Sequence, residues 1–303
     1  MHSYPSKIRV GIAGATGYAG QELVAILARH PHVELVAGMS SSADSAARAL
    51  PRLNRVWHGQ LEPLDLNKLS TSTDVTFLAL PEKAAAEVAP PLVAAGVKVI
   101  DLSGAFRIRD NADRAKWYPS TASLPAGTAY GLVEYFANDI KTASLVACPG
   151  CYPTAALLSL LPIVNAGLIN VDAGIVIDAK SGISGAGRAA TDRTHFSENH
   201  GSMAAYGVLG HRHVAEMQQE LHAEVTFVPH LVPLDRGILE TIYVKTNAGV
   251  TAEQIANAMH AAYADAPFVR ITGDALPEIK HVAHTNFCDI GWKYDAPSRR
   301  LVL

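Results

Sequence analysis

A cysteine between a Pro-Gly turn and an apolar run is the residue whose context most clearly predicts chemistry. Cys151 follows Pro149-Gly150 and precedes the apolar run 155–164. The pattern predicts a strand over 143–147, a tight turn, and a helix with Pro153 in its first turn, where no intrahelical N–H partner is needed. Unpaired N–H groups and the positive dipole end of such a helix favour a thiolate. Cys151 is therefore predicted to be a nucleophile.

Cysteine usage leaves a second interpretation of this stretch open. The chain has three cysteines, at positions 148, 151 and 288, too few for a disulfide framework and typical of a reducing cytoplasm. Cys148 and Cys151 form a C-x-x-C pair, which is also the pattern of a redox-active dithiol. A structural zinc site is not expected, because the sequence has no second cysteine pair near the first.

Two histidines offer a general acid or base. The segment His211-Arg212-His213 is predicted to open a helix that continues to Leu221, and histidine is the usual residue for proton transfer near neutral pH. Residues two apart on a helix point in roughly opposite directions, so only one ring is expected to face Cys151. A metal cluster that includes His195 and His200 is an alternative, but the carboxylate or cysteine ligands expected beside it are not evident.

The first element that must position this chemistry is a glycine-rich turn. The apolar run 8–13 predicts a buried parallel strand, and a helix is predicted over 21–30. A strand, a glycine turn and a helix form the context of a dinucleotide site, where glycine lets the backbone approach a pyrophosphate. The predicted cofactor contacts in the turn are Gly14, Ala15, Thr16, Gly17, Tyr18 and Ala19.

The second strand suggests which dinucleotide binds. It is predicted over 33–38 and is followed by Met39-Ser40-Ser41-Ser42, where an NAD-selective site would place an acidic residue. Hydroxyl groups stand there instead, with Asp44 displaced and Arg48 not far away. This arrangement favours a 2′-phosphate, and so predicts NADP, with Ser40 and Ser41 among its contacts.

The strand–helix alternation then continues, which predicts a doubly wound parallel sheet. Further strands are expected over 74–80 and 97–100, with a helix over 84–95 broken at Pro90-Pro91, and residues 108–130 are expected to form an irregular loop.

Ligands of such sheets lie beyond the carboxyl ends of the strands, which brings Pro81, Ser103 and Arg107 to the functional edge. Arg107 suits an anionic substrate.

The second half of the chain lacks this alternation of strands and helices. A strand over 174–180 leads into the glycine- and serine-rich segment 181–188, whose N–H groups and hydroxyls suit an anion or a carbonyl oxygen. Strands over 225–229 and 238–246 predict a mixed or antiparallel sheet. The predicted fold is thus α/β: a Rossmann-type parallel-sheet domain over 1–150 and an α+β catalytic domain with a mixed sheet over 151–303.

Composition excludes several classes of function. The 303 residues are 49% hydrophobic and 17% charged, with a net charge of −3, as in an ordinary two-domain globular protein. No basic patch points to nucleic acid, and no apolar run approaches the roughly 20 residues that span a membrane. No export signal is evident, so a cytoplasmic location is expected.

Taken together, the motifs resemble those of the N-acetyl-gamma-glutamyl-phosphate reductases, a family related to the aspartate-semialdehyde dehydrogenases. The matching segments run from residue 11 to about residue 291: the glycine turn 14–20, Asp101-Leu102-Ser103, Phe106-Arg107, Pro149-Gly150-Cys151-Tyr152-Pro153-Thr154, 180–187, His211-Arg212-His213, 229–233, Arg236-Gly237 and Thr285-Asn286. The P-G-C-Y-P-T and H-R-H segments are the specific ones.

The resemblance implies an acyl-phosphate substrate, NADP as the cofactor and a dimerising sheet in the second domain, hence a homodimer or homotetramer. It implies that Cys151 forms a thioester that NADPH reduces, while His211 or His213 acts as the general acid or base. Its substrate-binding residues are Arg107, Ser181, Arg188 and Arg236. Its further cofactor-binding residues are Pro81, Ser181, Gly182 and Asn286. No metal is implied.

Some positions depart from the family pattern, and alternatives remain open. Glu82, Ala105, Val133 and Cys148 replace the usual residues, and the chain ends at Leu303, within a predicted strand and before the final helical segment that the family leads one to expect. A related reductase of aspartyl phosphate or of a carrier-protein-linked aminoadipyl phosphate is the nearest alternative. A non-catalytic NADP-binding redox sensor, switched by the two neighbouring cysteines, is a more distant one.

Overall fold

A computed structural model of the chain describes residues 7–41 and 50–303. The chain divides into two compact units, Met1–Pro149 and Gly150–Leu303. Ser42, Asp44 and Arg48, which contributed to the predicted cofactor preference, lie outside the described residues. Across the described residues, no helix has both the length and the apolar character needed to cross a bilayer.

The first unit is built on one parallel sheet. Its strands are β1 (Ile8–Ala13), β2 (Val33–Met39), β3 (Leu61–Glu62), β4 (Val75–Leu78), β5 (Lys98–Asp101), β6 (Thr128–Tyr130) and β7 (Leu145–Ala147). Its helices are α1 (Tyr18–Leu27), α2 (Leu66–Ser72), α3 (Glu82–Ala94), α4 (Asn111–Trp117) and α5 (Val133–Thr142). In the described part of the unit, the strand order is β3-β2-β1-β4-β5-β7-β6, and every neighbouring pair is parallel. The predicted doubly wound parallel sheet is therefore confirmed.

The first strand and helix show why this sheet forms. In β1, Val10, Ile12 and Ala13 are buried, as expected for a strand covered on both faces. Helix α1 buries one stripe and begins three residues before the predicted position, directly after Gly17. It also ends earlier, because the N–H groups of Arg29 and His30 bond to carbonyls three residues back and tighten the last turn.

Helix α3 corrects a sequence prediction. It continues through Pro90 and Pro91, which were expected to break it. Both prolines are exposed, so water can reach the carbonyls of Ala86 and Glu87 that lose an N–H partner. The opposite face is buried through residues such as Val88 and Leu92, and this burial holds the helix together.

The segment 108–130 is also more ordered than expected, since it contains α4 and β6. The carboxylate of Asp110 accepts hydrogen bonds from the N–H groups of Ala112 and Asp113, at 2.8 and 2.9 Å, and so caps α4. The buried guanidinium of Arg114 donates to the carbonyls of Ile108 and Thr121, which fixes the rest of the segment from inside.

The second unit surrounds a mixed sheet. Its strands are β8 (Ile175–Gly182), β9 (Ala204–Ala205), β10 (Val225–Val232), β11 (Ile238–Lys245), β12 (Val269–Gly273), β13 (Cys288–Gly291), β14 (Lys293–Asp295) and β15 (Arg300–Val302). Its helices are α6 (Cys151–Asn165), α7 (Phe196–Asn199), α8 (His213–Leu221), α9 (Ala252–Ala262) and α10 (Ile279–Val282). Within the described residues, the main sheet has the order β14-β15-β11-β8-β10-β9, in which only β8 and β10 are parallel; β12 and β13 form a separate parallel pair. The predicted mixed sheet is confirmed.

One face of this sheet carries the helix that begins at Cys151. Along β8, Ile175, Ile177 and Ala179 are buried while the alternate residues are at least partly exposed, so one face forms the core. Helix α6 packs against β11 and also against α8. The helix of the predicted nucleophile therefore lies beside the helix that starts at His213.

Candidate active site

Cys151 is the first residue of α6, is exposed and is not part of a disulfide. Gly150, at the N-cap, has no side chain with which to cap the helix, and the first turn contains no acidic residue. Pro153 lies in the first turn, as the sequence predicts. This is the environment in which the partial positive charge of a helix end stabilises a thiolate.

The two candidate histidines lie together, contrary to expectation. The rings of His211 and His213 pack edge to face with their centroids 4.6 Å apart, and each ring centroid is 5.9 Å from that of Tyr152. The prediction that the two rings point in opposite directions is wrong because α8 begins only at His213. Nδ1 of His211 accepts a hydrogen bond from the N–H of His213 at 3.1 Å, so His211 belongs to the turn before the helix.

His213 is the histidine packed beside the nucleophile helix. It is buried, and a methyl group built on Gly150 would lie 2.6 Å from its Nε2 atom. The imidazole is thus in direct contact with the residue that precedes Cys151. Glu216, one turn along α8, is fully buried; its Oε2 accepts the N–H of Gly150 at 2.9 Å, and its Oε1 lies 3.9 Å from Nε2 of His213.

His211 has a different electrostatic character. Burial, with a smaller contribution from the neighbouring Arg212 charge, lowers its pKa to about 4. His211 is consequently neutral at physiological pH and a weak base. It packs between aromatic rings, with centroids 5.3 Å from Phe227 and 5.7 Å from Tyr206.

Two tyrosine hydroxyls complete the cluster. The hydroxyl oxygens of Tyr152 and Tyr206 are 3.1 Å apart, and the Tyr152 hydroxyl also lies 3.5 Å from the carbonyl of His230. Burial raises the pKa of both hydroxyls above the usual value, and negative charge on Cys151 raises both further. Both groups therefore remain protonated and can donate hydrogen bonds.

Tyr206 also borders a cavity of about 280 Å³. The lining includes the charged residues Asp192, Arg193 and Glu198 and the buried amide of Asn199. Tyr206 therefore belongs both to this cavity and to the cluster around Tyr152.

A second group of predicted residues lies where β8 ends. Ser181 is buried, with its hydroxyl 3.1 Å from the carbonyl of Gly182. Gly182 packs so closely against the backbone of Asp235 and Arg236 that a methyl group there would lie within 3.0 Å of it. The Ser184 hydroxyl donates to the Asp235 carbonyl at 2.5 Å, which ties the two turns together.

The remaining predicted residues of this unit occupy other positions. Arg236 is half-buried in the turn after β10, whereas Arg188 is exposed beyond the short 3₁₀ turn 183–186. Asn286 is exposed between α10 and β13.

The glycine turn of the first unit fits a dinucleotide. Gly14 has φ of +89°, and a methyl group there would lie 2.2 Å from the Ala79 carbonyl oxygen. A methyl group on Gly20 would meet the Gly14 carbonyl at the same distance, so both glycines are required for packing. A methyl group on Gly17 would instead face nearly open space, 3.6 Å from the nearest atom, at the start of α1 where N–H groups lack intrahelical partners.

The exposure of the turn agrees with this interpretation. Ala15 is buried, Thr16 and Gly17 are half-buried, and Tyr18 and Ala19 are exposed at the helix start. At the next strand ends, Ser40 is buried whereas Ser41 and Pro81 are exposed.

Arg107 and Cys148 belong to a polar cluster of the first unit around Asp101. The Asp101 carboxylate is fully buried and accepts the N–H and the hydroxyl of Ser103, at 3.0 and 2.7 Å. Burial raises its pKa in spite of these bonds. The guanidinium of Arg107 is also buried and donates to the Leu102 carbonyl at 2.9 Å. Burial and the Asp101 charge together raise the pKa of Cys148 to about 11.

In the part of the chain that the structure describes, no group of three or more His, Cys, Asp or Glu side chains is arranged to hold a metal ion. Glu216 and Tyr206 are site residues that the sequence patterns did not predict. The position of Glu216 three residues after His213, on the same helical face, was the available signal for it. No comparable spacing marks Tyr206.

Family models match both halves of the chain. The model described as semialdehyde dehydrogenase, NAD binding domain, matches residues 9–143, and the model described as semialdehyde dehydrogenase, dimerisation domain, matches residues 151–303.

Solved structures share the fold. Aspartate semialdehyde dehydrogenase II of Vibrio cholerae, in complex with ASA, has a TM-score of 0.71 at 16% identity, over 98% of this chain and 92% of that one. The Candida albicans enzyme with NADP has a TM-score of 0.69 at 14% identity, with the same coverage. At these identities the likeness establishes the fold alone.

Sequence relatives are much more similar. N-acetyl-gamma-glutamyl-phosphate reductase of Shouchella clausii is 44% identical over 98% of this chain and 89% of the relative. The enzymes of Salmonella typhi and Bacillus subtilis so named are 43% identical, over 93% of this chain and 86% of the relative, and 39% identical, over 98% and 89%. The chain belongs to the N-acetyl-gamma-glutamyl-phosphate reductase family.

Proposed function

We propose that the protein catalyses the NADPH-dependent conversion of N-acetyl-L-glutamyl 5-phosphate to N-acetyl-L-glutamate 5-semialdehyde and phosphate, in arginine biosynthesis. Family membership supports the reaction class, and relatives named for this reductase support the substrate. The observation that carries the chemistry is an exposed thiol at the first residue of α6, preceded by a glycine against which a buried imidazole packs.

In the proposed reaction, the Cys151 sulfur attacks the carbonyl carbon of the acyl phosphate. The carbon–oxygen bond to phosphate breaks, and the acyl group remains on sulfur as a thioester. NADPH, when bound, supplies the hydride that reduces this thioester to the aldehyde. Release of the aldehyde restores the Cys151 thiolate at the helix start.

We assign the proton-transfer role to His213 rather than His211. His213 packs against the peptide next to Cys151, whereas His211 has a pKa of about 4 and holds a proton poorly at neutral pH. His213 takes the thiol proton before the attack and holds it at Nε2 while charge develops on the acyl oxygen. The aromatic rings of Tyr152 and Tyr206 keep the imidazole pair in place through edge-to-face contacts.

The residues that hold the ligands are assigned from the family resemblance together with the chemistry of their side chains. The dinucleotide is held by the turn 14–19 together with Ser40, Ser41 and Pro81. Its nicotinamide end contacts Ser181, Gly182 and Asn286. Arg107 and Arg236 suit the phosphate and carboxylate of the substrate, with Arg188 as a further cation. Hydroxyl groups at the end of β2 favour NADP over NAD.

We also infer a homodimer or homotetramer in the cytoplasm. The match of residues 151–303 to a dimerisation domain supports self-association, and a reducing compartment keeps the catalytic cysteine in its reduced form.

The reverse reaction tests the proposal directly. The protein is mixed with N-acetylglutamate semialdehyde, phosphate and NADP, and NADPH is followed by absorbance. We expect phosphate-dependent turnover with this aldehyde and much slower turnover with aspartate semialdehyde or a carrier-linked aminoadipate semialdehyde. Preferred turnover of either alternative would assign the protein to the related reaction. No turnover with any of them, for a folded protein, would contradict a reductase function.

A further inference from the structure

Glu216 is a charged residue in the interior of the second unit. Its side chain is 0% exposed, although glutamate is rarely buried without a partner. It follows His213 by three residues on α8, so the two side chains share one face of the helix. Helix α8 packs against α6, which places this face toward the helix of the nucleophile.

One oxygen of the Glu216 carboxylate accepts a hydrogen bond at the start of α6. Oε2 accepts the N–H of Gly150 at 2.9 Å, a normal distance for such a bond. Gly150 is the N-cap residue and has no side chain, so a carboxylate from another helix fixes the peptide that leads into Cys151. Hydrogen bonds to an ionised carboxylate are stronger than neutral ones, and in the interior they hold their geometry firmly.

The other oxygen faces the imidazole. Oε1 is 3.9 Å from Nε2 of His213, too far for a hydrogen bond but within range of attraction to a protonated ring. The same Nε2 atom lies against Gly150. The N-cap peptide, the imidazole and the carboxylate therefore meet at one point.

We propose that Glu216 is a positioning residue for the reaction proposed above. One oxygen fixes the Gly150 peptide and the other attracts the His213 ring, so that Cys151 and the imidazole keep one relation without contact of Glu216 to the substrate. A nucleophile and its base on separate helices need such a connection, because a displacement of about 1 Å costs up to about a hundredfold in rate. A carboxylate with only a structural role would instead affect stability and leave turnover unchanged.

Three variants separate these roles. Glu216→Gln retains an oxygen for the Gly150 N–H but removes the charge, and Glu216→Ala removes both. Glu220→Gln is the matched control, since Glu220 is also buried, lies one turn further on the same helix, and bonds to the Gln219 side chain at 2.7 Å. Each variant is assayed for kcat and KM in the reverse reaction, for thermal stability, and for the rate at which iodoacetamide alkylates Cys151.

For Glu216→Gln we expect kcat to fall about tenfold to a hundredfold. A positioned acid or base contributes a rate enhancement of about 10²- to 10⁴-fold, and the variant should lose part of it. The KM values for aldehyde and phosphate should stay within about twofold, because Glu216 does not touch them. Alkylation of Cys151 should slow, since a displaced imidazole no longer takes the thiol proton. Glu216→Ala should lose more kcat, and Glu220→Gln should match the parent protein.

A kcat of Glu216→Gln equal to that of the parent would overturn the proposal. So would a loss of activity that only follows a loss of melting temperature, or a rise in both KM values at constant kcat. The alkylation rate distinguishes the two proposals: if the parent turns over no aldehyde, the reductase function fails, yet slower alkylation in Glu216→Gln than in Glu220→Gln still supports the positioning role. Equal or faster alkylation would contradict it.

Discussion

The imidazole of His213 lies so close to Gly150 that a methyl group on this glycine would come within 2.6 Å of Nε2. The backbone of Gly150, with φ −64° and ψ 153°, is one that any residue adopts without strain. Glycine is therefore needed here for the space beside its Cα atom rather than for its backbone freedom. The residue before the nucleophile is small because the imidazole occupies that space.

Replacement of this glycine tests the contact. Gly150→Ala should leave the protein folded but displace the His213 ring, and kcat in the reverse assay should fall by up to about a hundredfold. Gly210→Ala is the control, because a methyl group there would meet only the Val208 carbonyl at 3.9 Å. We would measure kcat and the melting temperature of each variant. A loss of kcat in Gly150→Ala alone, at an unchanged melting temperature, would support the contact.

A double variant shows whether the loss acts through the ring. If the methyl group works by moving His213, then Gly150→Ala should add little to the loss already caused by His213→Asn. Fully additive losses would mean that Gly150→Ala disturbs something other than the imidazole, and the contact would then have no catalytic meaning.

The lowered pKa of His211 predicts how the free energy of unfolding changes in acid. Its pKa in the folded protein is about 4, below the ordinary 6.5, so the unfolded chain binds this proton first as pH falls. The neutral ring therefore stabilises the fold above pH 6.5, and this contribution is lost as pH falls from 6.5 to about 4. His211→Asn should lose less unfolding free energy than the parent between pH 7.5 and 5, measured by urea denaturation.

An exposed histidine provides the comparison. His260→Asn, at the exposed end of α9, should show the same pH dependence as the parent. If His211→Asn loses as much stability in acid as the parent does, the burial of His211 has no energetic consequence for folding.

The local elements of this protein follow from its sequence. The strand over 8–13 and the helix that begins at Cys151 lie where residue types predict them, because an apolar run, a Pro-Gly turn and a proline in the first turn each act over a few neighbours. The lost strand–helix alternation of the second half likewise predicts a mixed or antiparallel sheet, and the structure shows that it is mixed.

The contacts that build the candidate site do not follow from such patterns. The bond from Gly150 to Glu216 joins positions 66 residues apart, and no local pattern encodes it. The relation between His211 and His213 was mispredicted because helical spacing was applied across a helix start. The predicted break of α3 at Pro90 and Pro91 is wrong because burial of the opposite helix face outweighs the local penalty of the prolines.

In the glycine turn, Gly20 is expected to matter for packing and Gly17 for cofactor binding. Gly20→Ala would place a methyl group 2.2 Å from the Gly14 carbonyl, and such overpacking typically costs about 1–3 kcal/mol of unfolding free energy. Gly17→Ala has space for its methyl group and should keep the parent stability. It should still weaken NADPH binding, measured by fluorescence titration, since the methyl group covers N–H groups that a pyrophosphate approaches.

The outcome for Gly17→Ala is decisive for the turn. Unchanged NADPH affinity in a variant of parent stability would mean that no phosphate lies against Gly17. Repetition of the titration with NADH tests the cofactor preference, which we expect to favour NADPH in the parent protein.

The two neighbouring cysteines are chemically unlike, and this decides between catalysis and redox sensing. The pKa of Cys148 is raised to about 11 by burial and the Asp101 charge, so its thiol stays protonated and unreactive at neutral pH, whereas Cys151 is exposed at a helix start. At pH 7.5, iodoacetamide should therefore modify Cys151 well before Cys148 or Cys288, as read by mass spectrometry. Cys148→Ser should retain turnover in the reverse assay, while Cys151→Ser should lose it. Equal loss in both variants would instead identify the pair as a redox switch, because a dithiol needs both sulfurs and a thioester needs only one.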